Sequence, residues 1–471
     1  MDFFVQLDRG SRVPLHTQLE DRVREAIRAG QLRAGLELPS TRNLASELGV
    51  SRGVVVEVYS QLRAEGYLDV SQRGKTRVAQ VTTPGTPKPG APASNPASIG
   101  YDFHPGHPDL LGFPRAAWAR ALRKAVRDVP ANELSYSDLS GTAVLREALA
   151  AHLSRARGAL ATADRVLITQ GFTQGLVLVC HALRARGVSQ IAVEDPCLPT
   201  HRAIAHDAGM RPVPVPVDDN GIDVDQLRRH PVGAVLLTPA HQFPMGAVLA
   251  PERRTQLIRW AREKGAYIIE DDYDAEYRYD REPVGTLQGL APERVIYGGS
   301  ASKTLAPALR LGWLLLPDEL FGAVLERKAF AGASPTVEQY ALADWLTSGE
   351  IHHHLRRMRL RYRRRRSAMI DALGTHMPDA RLQGIAAGLH VVVHLPAATD
   401  EQRLAMAAQE RGVSIHPLGW HRAISAPAQP GLVLGYANVN EASIGRGIEK
   451  IANALESIRR DTLIGLAGRA I

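Results

Sequence analysis

Seven short apolar runs alternate with helix-like stretches between residues 166 and 316, and this alternation constrains the fold more than any other feature. The runs lie at 166–169, 191–194, 213–217, 234–238, 267–271, 295–298 and 311–316. Apolar strands separated by helices are typical of a parallel sheet that is covered on both faces. We therefore predict an α/β domain that is built on a largely parallel sheet.

Three further apolar runs follow a helix-rich stretch near the C-terminus. They lie at 390–395, 413–418 and 432–435. This spacing predicts a smaller C-terminal α/β lobe over about residues 355–471.

The first 78 residues show a different pattern, with three helical stripes followed by two short extended runs. Apolar residues recur every four positions between residues 15 and 27, Ser40 opens a second helix, and Ser51 caps a third. Two short helices across a tight turn predict a helix-turn-helix. The runs 67–70 and 76–79, around a turn at Arg73-Gly74-Lys75, predict a two-stranded wing. Residues 1–78 are therefore expected to form a winged helix-turn-helix.

A segment rich in small residues and proline separates these two regions. Residues 82–96 are almost wholly Pro, Gly, Ala, Ser and Thr, with Lys88 as the single charge. Such a composition predicts a linker, which we place at residues 79–100, before a large domain at 101–471. At 471 residues the chain is also too long for one ordinary core.

Charge and composition narrow the class of protein. The formal net charge of +8 suits an acidic partner, but residues 1–78 carry 12 Lys or Arg against 10 Asp or Glu, so a DNA interface depends on arrangement. No run of about 18 apolar residues predicts a membrane span, and the start lacks the features of an export signal. With two cysteines, Cys180 and Cys197, both expected in packed positions, a cytoplasmic protein without disulfides is predicted.

Eight arginines crowd residues 356–366, the densest basic run of the chain. On a helix they would cover most of the circumference outside Leu355, Met358 and Tyr362. The run fits a solvated, salt-bridged helix, and a direct phosphate contact stays open as the alternative. The neighbouring His352-His353-His354 does not predict a metal site, because adjacent helical residues point in different directions.

Polar residues follow several predicted strands, at the sheet edge where ligands of open α/β sheets bind. Lys303 ends the stretch Gly299-Ser300-Ala301-Ser302-Lys303, and Arg310 comes seven residues later. A Schiff-base lysine, a hydroxyl-rich turn and a guanidinium are what a pyridoxal-phosphate site needs. Taken alone, this short motif is more typical of a solvated surface lysine, so the other strand ends must decide.

Three other strand ends carry residues that fit the same site. Asp271 could hold a pyridine nitrogen protonated, and Tyr273 could hydrogen-bond the phenolic oxygen of the ring. Gly171-Phe172-Thr173-Gln174 opens an apolar helix, where free backbone N–H groups favour a phosphate. The loop 238–246 offers His241 or Gln242 to the ring. Each feature also has an ordinary interpretation, as an acidic loop, a strand-to-helix turn or an incidental histidine.

In their order along the chain these features resemble the fold-type-I pyridoxal-phosphate aminotransferases. Together with the N-terminal segment, they resemble the MocR-type regulators of the GntR superfamily. The stretch 38–52, Leu-Pro-Ser-Thr-Arg-Asn-Leu-Ala-x-x-Leu-Gly-Val-Ser-Arg, and Glu65-Gly66-Tyr67-Leu68 match the winged-helix pattern. The resemblance covers residues 12 to about 458.

The resemblance implies a role for each candidate residue. Lys303 would carry the internal aldimine of pyridoxal 5'-phosphate, with Asp271 at the pyridine nitrogen and Tyr273 at the phenolic oxygen. The phosphate would be held by one group of residues: Ser300, Ser302, Arg310 and the backbone of Phe172 and Thr173. The implied DNA contacts are Arg42, Ser51, Arg52, Gly74 and Lys75. Arg52 also stands at the start of the third helix, where an arginine can read guanine in a major groove.

The chain departs from the aminotransferase pattern at two positions of the site. Leu198 stands where an aromatic residue often stacks on the cofactor ring, and Val433 stands where an arginine is expected to grip a substrate carboxylate. Arg422 or Arg202 could substitute for that arginine. In the winged helix, Gln72-Arg73-Gly74-Lys75-Thr76 replaces the usual Gly-x-Gly-Thr, and Val54 replaces a common threonine.

These observations favour a PLP-dependent transcription regulator that binds double-stranded operator DNA. It would sense a small amine, an amino acid or the cofactor itself by aldimine exchange at Lys303, as a domain-swapped homodimer with each DNA-binding domain on the partner's large domain. The alternative is an active aminotransferase with an accessory DNA-binding domain, although the departures favour weak or partial turnover. A third hypothesis makes the aminotransferase-like domain a dimerisation scaffold only.

Overall fold

A computed structural model describes residues 7–71, 74–80, 100–136, 138–280, 284–424 and 429–467. The chain forms two compact units, Met1–Asn95 and Pro96–Ile471. Most of the predicted linker, and Gln72 and Arg73 of the predicted wing turn, lie outside the described residues. Within the described ranges, none of the helices has the length and apolarity that crossing a membrane requires.

The first unit contains three helices and a two-stranded antiparallel wing. They are α1 (Leu15–Arg28), α2 (Thr41–Leu48), α3 (Arg52–Ala64), β1 (Leu68–Val70) and β2 (Thr76–Val78). Fully buried Leu19, Leu44, Val55 and Leu62 join the three helices in one core, because their apolar stripes all face inward. The predicted winged helix-turn-helix is confirmed.

Two serines precede helices of this unit, and only one acts as a cap. Ser40 accepts a hydrogen bond from the Asn43 N–H, and Gly49 ends the same helix with φ at 63°. Ser51 occupies the N-cap position of α3, but its side chain makes no capping hydrogen bond. The predicted cap at Ser51 was therefore wrong, and its hydroxyl is exposed.

The second unit alternates helices and strands along most of its length. Its helices are α4 (Arg115–Asp128), α5 (Ala143–Arg157), α6 (Phe172–Ala185), α7 (Pro199–Asp207), α8 (Val224–Leu227), α9 (Pro251–Lys264), α10 (Asp318–Lys328), α11 (Thr336–Ser348), α12 (Glu350–His376), α13 (Glu401–Glu410) and α14 (Glu441–Ala467). Short 3-10 turns span Ala131–Leu134, Ala163–Arg165, Pro307–Leu309 and Leu418–His421. Its strands are β3 (Tyr101–Asp102), β4 (Val166–Thr169), β5 (Gln190–Asp195), β6 (Arg211–Asp218), β7 (Gly221–Ile222), β8 (Ala234–Leu237), β9 (Tyr267–Asp271), β10 (Val295–Ser300), β11 (Gly312–Leu315), β12 (Arg381–Gln383), β13 (His390–His394), β14 (Val413–Ser414), β15 (His416–Pro417) and β16 (Gly431–Gly435).

Eight of these strands form one sheet in the order β4-β11-β10-β9-β8-β5-β6-β7. The strands from β10 to β6 run parallel, β11 is antiparallel to both of its neighbours, and β7 closes the far edge as an antiparallel strand. Every residue of β4, β8 and β9 is buried, as expected for strands that helices cover on both faces. The predicted α/β sheet is confirmed, and its parallel strands end at a common edge.

The C-terminal lobe contains a four-stranded antiparallel sheet in the order β12-β13-β16-β15. The single strand predicted at 413–418 is divided between two sheets. Val413–Ser414 pairs with Tyr101–Asp102 at the start of the unit, whereas His416–Pro417 pairs with β16. Residues 100–108 therefore run from the lobe towards the edge of the large sheet.

The arginine run lies on α12 and has two kinds of surroundings. Arg356, Arg357, Arg363 and Arg364 are exposed, in keeping with a solvated face. Arg361 and Arg365 instead pair with buried Asp109, at 2.6 and 3.1 Å, and Arg365 also donates to the Ala437 carbonyl. The helix therefore braces the start of the unit as well as facing solvent.

Candidate functional site

A cavity of about 170 Å³ lies where strands β9 and β10 end. Eight of the ten residues that the sequence places at the cofactor line it: Phe172, Thr173, Asp271, Tyr273, Ser300, Ser302, Lys303 and Arg310. They come from four chain segments that the parallel strands bring to one edge. The remaining two, His241 and Gln242, are not among its lining residues.

Lys303 follows β10 and sits beneath the turn at Pro105 and Gly106. A Cβ placed on Gly106 would lie 3.3 Å from Lys303 Nζ, so the turn closes over the amine. Burial lowers the pKa of Lys303, although Asp271 and Asp274 oppose the shift. A lowered pKa increases the fraction of neutral amine, which is the nucleophilic form. The position of Lys303 and its lowered pKa suit attack on a carbonyl carbon.

The turn after β4 forms an anion cradle opposite this lysine. Gly171 has φ at 90°, which favours glycine. Gly312 of β11 must also be glycine, because a Cβ there would lie 2.6 Å from the Cα of Gly171. Phe172 and Thr173 begin α6, whose first N–H groups have no partner within the helix. The Arg310 guanidinium lies beside Gly171 and forms no ion pair with any described residue. These donors and this cation suit a phosphate dianion.

Asp271 lies buried at the end of β9, with His201 Nε2 3.4 Å from its Oδ2. Burial raises the pKa of Asp271, and the hydrogen bond from His201 opposes the shift only in part. A protonated ring nitrogen beside this buried carboxylate would favour its ionised form. His201 carried no sequence signal, because a single histidine on a short helix resembles any other.

A second carboxyl group stands behind Asp271. Glu194 lies buried as the last but one residue of β5, and its Oε2 accepts from the Thr238 N–H at 3.0 Å and the Thr238 hydroxyl at 2.9 Å. Burial raises the pKa of Glu194 to about 7. Because the two carboxyl groups repel each other when both are charged, Glu194 favours its neutral form while Asp271 is ionised.

The loop after β8 presents Phe243 to the cavity, and His241 and Gln242 lie behind it. His241 Nδ1 is 3.1 Å from the Tyr273 hydroxyl and 2.9 Å from Asp274 Oδ2, so this histidine positions the tyrosine. Gln242 donates to the carbonyls of Pro196 and Phe243 and accepts from the Met245 N–H. Direct contact of these two residues with a cofactor stays a prediction, and their hydrogen bonds favour a supporting role.

The structure also locates the residues of the two departures. Leu198 lines the cavity, whereas Val433 is fully buried in β16 of the small lobe. Arg202 donates to the His421 carbonyl at 2.9 Å, and Arg422 donates to the Gln429 carbonyl at 3.0 Å. Within the described residues, Arg310 is the one arginine among those that line the cavity.

The predicted DNA contacts lie on the surface of the first unit. Arg42, near the start of α2, and Ser51 and Arg52, at the start of α3, are exposed. Arg52 Nε donates to Thr41 Oγ1 at 3.4 Å. Gly74, with φ at 78°, and Lys75 are exposed at the wing. Lys75 Nζ lies 2.6 Å from Glu37 Oε2, and a pair this exposed exchanges readily for another anion.

Two family descriptions match successive parts of the chain. Residues 15–78 match the bacterial regulatory proteins of the gntR family, and residues 107–451 match aminotransferase class I and II. The chain is 32% identical over 470 residues to a probable rhizopine catabolism regulatory protein, MocR, of Rhizobium meliloti, with 95% of each chain covered. It is also 32% identical over 459 residues to the HTH-type pyridoxine biosynthesis transcriptional regulator PdxR of Corynebacterium glutamicum, covering 96% of this chain and 99% of that one.

Solved aminotransferase structures resemble the second unit. The α-aminoadipate aminotransferase LysN of Thermus thermophilus, complexed with N-(5'-phosphopyridoxyl)-L-leucine, aligns with a TM-score of 0.69 at 28% identity. That alignment covers 76% of this chain and 92% of LysN. The kynurenine aminotransferase of Pyrococcus horikoshii aligns with a TM-score of 0.70 at 25% identity, covering 77% of this chain and 91% of its own.

Proposed function

The chain belongs to the MocR-type transcriptional regulators, in which a gntR-family domain precedes an aminotransferase class I and II domain, and we propose that it binds operator DNA under the control of a small amine or amino acid. The ligand would be sensed at a pyridoxal 5'-phosphate site. One observation carries this proposal: Lys303 after β10, Asp271 and Tyr273 at the end of β9, and Arg310 before β11 line a single cavity.

The residues of the cavity fit this cofactor group by group. When bound, pyridoxal phosphate supplies an aldehyde that condenses with primary amines and a ring that accepts electrons. Arg310 and the N-terminus of α6 would hold the phosphate, and Asp271 would hold a proton at the ring nitrogen. Lys303 would bind the aldehyde and yield its place to a ligand amine. Tyr273, positioned by His241, would donate to the ring oxygen.

The first unit supplies the proposed DNA interface. Arg42 and Arg52 project around the helix-turn-helix, where side chains at the start of the second helix reach bases and phosphates. Gly74 and Lys75 of the wing would contact the backbone of the duplex. Such a regulator would act in the cytoplasm, on a double-stranded operator.

Exposed apolar side chains of the second unit support the proposed homodimer. Tyr136, Phe330 and Leu111 are each at least 87% exposed, which is unusual for large apolar side chains of a monomer. The segments of Tyr136 and Phe330 are joined, because Lys328 donates to the Leu139 carbonyl. Two copies would bind two operator half-sites, with each DNA-binding domain on the partner's large domain.

An active aminotransferase is the second candidate, and the Asp271–His201 pair favours it because it would keep the ring nitrogen protonated. Leu198 and Val433 favour sensing, since the first offers no stacking ring and the second no guanidinium. Prolonged incubation with amino donors and keto acids separates the two. Sustained multiple turnover would support the enzyme, whereas a single spectral conversion would support the sensor.

Visible absorption of purified protein after incubation with pyridoxal phosphate tests the proposed site. Wild type and Lys264→Ala, which changes an exposed lysine at the end of α9, should show the absorption of a bound lysine adduct. Lys303→Ala should lose it. Full absorption in Lys303→Ala would contradict the assignment of Lys303. An operator affinity that changes with neither the cofactor nor an amine would instead support the hypothesis that the second unit is only a dimerisation scaffold.

A further inference from the structure

A stack of aromatic rings continues the cavity wall beyond Lys303. The rings of His104 and His107 are stacked with centroids 4.0 Å apart, and His104 meets His416 edge-on at 4.2 Å. His416 in turn lies 6.2 Å from His421. We call His104, His107, His416 and His421 the histidine cluster. Its members come from two chain segments more than 300 residues apart, which the pairing of β3 with β14 brings together.

The histidine cluster borders the cavity from two directions. Pro105 and Gly106, between its first two members, line the cavity and cover Lys303 Nζ. His421 packs edge-on against Phe243, another lining residue, with ring centroids 5.2 Å apart. On the other side, His416 lines a hollow of about 320 Å³ in the small lobe. The cluster therefore lies directly behind three residues that line the cavity, Pro105, Gly106 and Phe243.

His421 is a polar group that lacks a partner. The residue is only 3% exposed, and neither ring nitrogen forms a well-aligned hydrogen bond within the described residues. The nearby Cys197 backbone raises the pKa of the ring, but burial outweighs it. Its backbone carbonyl accepts from the Cys197 N–H at 3.0 Å and from Arg202 at 2.9 Å, which fixes the residue in place. A buried imidazole held without a partner is unfavourable unless a ligand supplies one.

The charged groups around His421 are mostly basic. His416, Arg202 and His104 face it from three elements, and His390 faces it across Phe243. Two carboxylates lie nearby, and both are already engaged. Asp195 accepts from the N–H groups of residues 423 and 424, and Asp102 lies 3.1 Å from His107. An anionic ligand would therefore find basic groups that the protein itself leaves uncompensated.

We propose that the histidine cluster binds the acidic group of an amino acid or other amino-terminated acid whose amine reaches Lys303, and that this binding takes up a proton at His421. The proposal deepens the proposed function and rests on it. A separate site for the acidic group is needed because the three candidate arginines are engaged elsewhere. Arg310 lies beside Gly171, where the phosphate would bind, and Arg202 and Arg422 donate to backbone carbonyls.

The direction of the pH dependence follows from burial. Burial lowers the pKa of His421 to about 4 and that of His416 to about 4, so both are neutral near neutral pH without ligand. A bound carboxylate raises the pKa of its histidine, so the complex holds one more proton, taken from solvent. The protein should therefore bind the acidic ligand most tightly at low pH, and this affinity should be lost as the pH rises through the raised pKa of the histidine.

The test compares straight-chain amino acids, from glycine to 5-aminopentanoate, with n-alkylamines of equal chain length. Dissociation constants are measured on the cofactor-loaded protein from the change in its visible absorption. The ratio of amine to acid constants cancels the titration of the amine itself. At the best chain length, the acid should bind at least tenfold tighter at about pH 6, and this preference should fall about tenfold per pH unit above the raised histidine value. A preference that does not change with pH would overturn the proposal.

Variants assign the proton to the histidine cluster. His421→Gln should reduce the acid preference to about one while leaving alkylamine binding within about twofold. His416→Gln, at a partly exposed position, should give a smaller reduction and guards against misfolding of the first variant. His353→Gln, on the exposed face of α12, should behave as wild type. Full acid preference in both cluster variants would contradict the proposal.

A calorimetric titration with glutarate, which has two carboxylates and no amine, tests acid binding at the histidine cluster independently of amine exchange at Lys303. If no amine changes the absorption, the proposed exchange at Lys303 is wrong. Glutarate binding with uptake of about one proton, measured in buffers of different ionisation enthalpy, would then still support the cluster. No binding of glutarate or of any amino acid would overturn it.

Discussion

The two proposed anion sites would hold their ligands by different physical means. At the phosphate cradle, Arg310 carries a permanent charge beside the free N–H groups of α6. At the histidine cluster, burial keeps His416 and His421 neutral until an anion arrives. If both proposals hold, the first site would retain its phosphate group at any physiological pH, whereas the second would bind a ligand only where the pH lets a histidine take up a proton.

Removal of the permanent charge should give the largest effect. Arg310→Ala should weaken pyridoxal phosphate binding about a hundredfold, because a charge-assisted contact to phosphate is lost. Absorption titration measures the dissociation constant. Arg356→Ala, at an exposed site on α12, is the matched control. If the dissociation constant of pyridoxal phosphate rises less than about threefold in Arg310→Ala, the proposal that a permanent charge holds the phosphate is wrong.

The stability of the ligand-free protein should reveal the neutral histidine. His421 has a pKa of about 4 when folded, below the ordinary value of 6.5, so the unfolded chain binds its proton first. Its contribution is complete above the unfolded value and is lost as pH falls towards about 4. Between about pH 7 and 5, wild type should lose about 2 kcal/mol more unfolding free energy than His421→Gln, measured by denaturant titration. Equal losses in the two proteins would show that folding does not lower the pKa of His421.

Asp271 tests whether the cofactor end also depends on charge at the ring. Asp271→Asn should weaken cofactor binding about tenfold, because the amide cannot compensate a protonated ring nitrogen. Asp371→Asn, at an exposed position of α12, should leave binding unchanged. If Asp271→Asn binds the cofactor as tightly as wild type, the ring nitrogen is not protonated by this residue.

Leu198 lines the cavity, and its replacement should give the smallest effect. Leu198→Tyr would offer a ring to stack on the cofactor and should tighten its binding about threefold. Leu290→Tyr, at an exposed site outside the cavity, controls for added aromatic surface. Weaker binding in Leu198→Tyr would mean that the space above the ring is already filled.

Sequence patterns predicted the residues whose place follows from local order. Lys303, Asp271 and Phe172 each follow an apolar strand, and parallel strands bring such positions to one edge. The loop after β8 shows the limit of this reasoning. Its spacing could not tell which of three consecutive residues faces the cavity, and Phe243 does rather than His241 or Gln242.

The remaining residues are brought into place by contacts between segments that are far apart in the sequence. The run 413–418 reads as one strand, yet it divides because β14 pairs with β3 while β15 pairs with β16. That division brings His416 beside His104, a contact that no sequence spacing reports. His201 was missed for the same reason, since its partner Asp271 lies 70 residues away.

Chemical trapping of the cofactor tests the central claim most directly. Borohydride reduction of protein loaded with pyridoxal phosphate, followed by digestion and mass spectrometry, should place the added mass on Lys303. A prior incubation with a bound amino acid should remove that label, because the ligand amine takes the place of the lysine. A label on another lysine, such as buried Lys328, or no label at all would contradict the account.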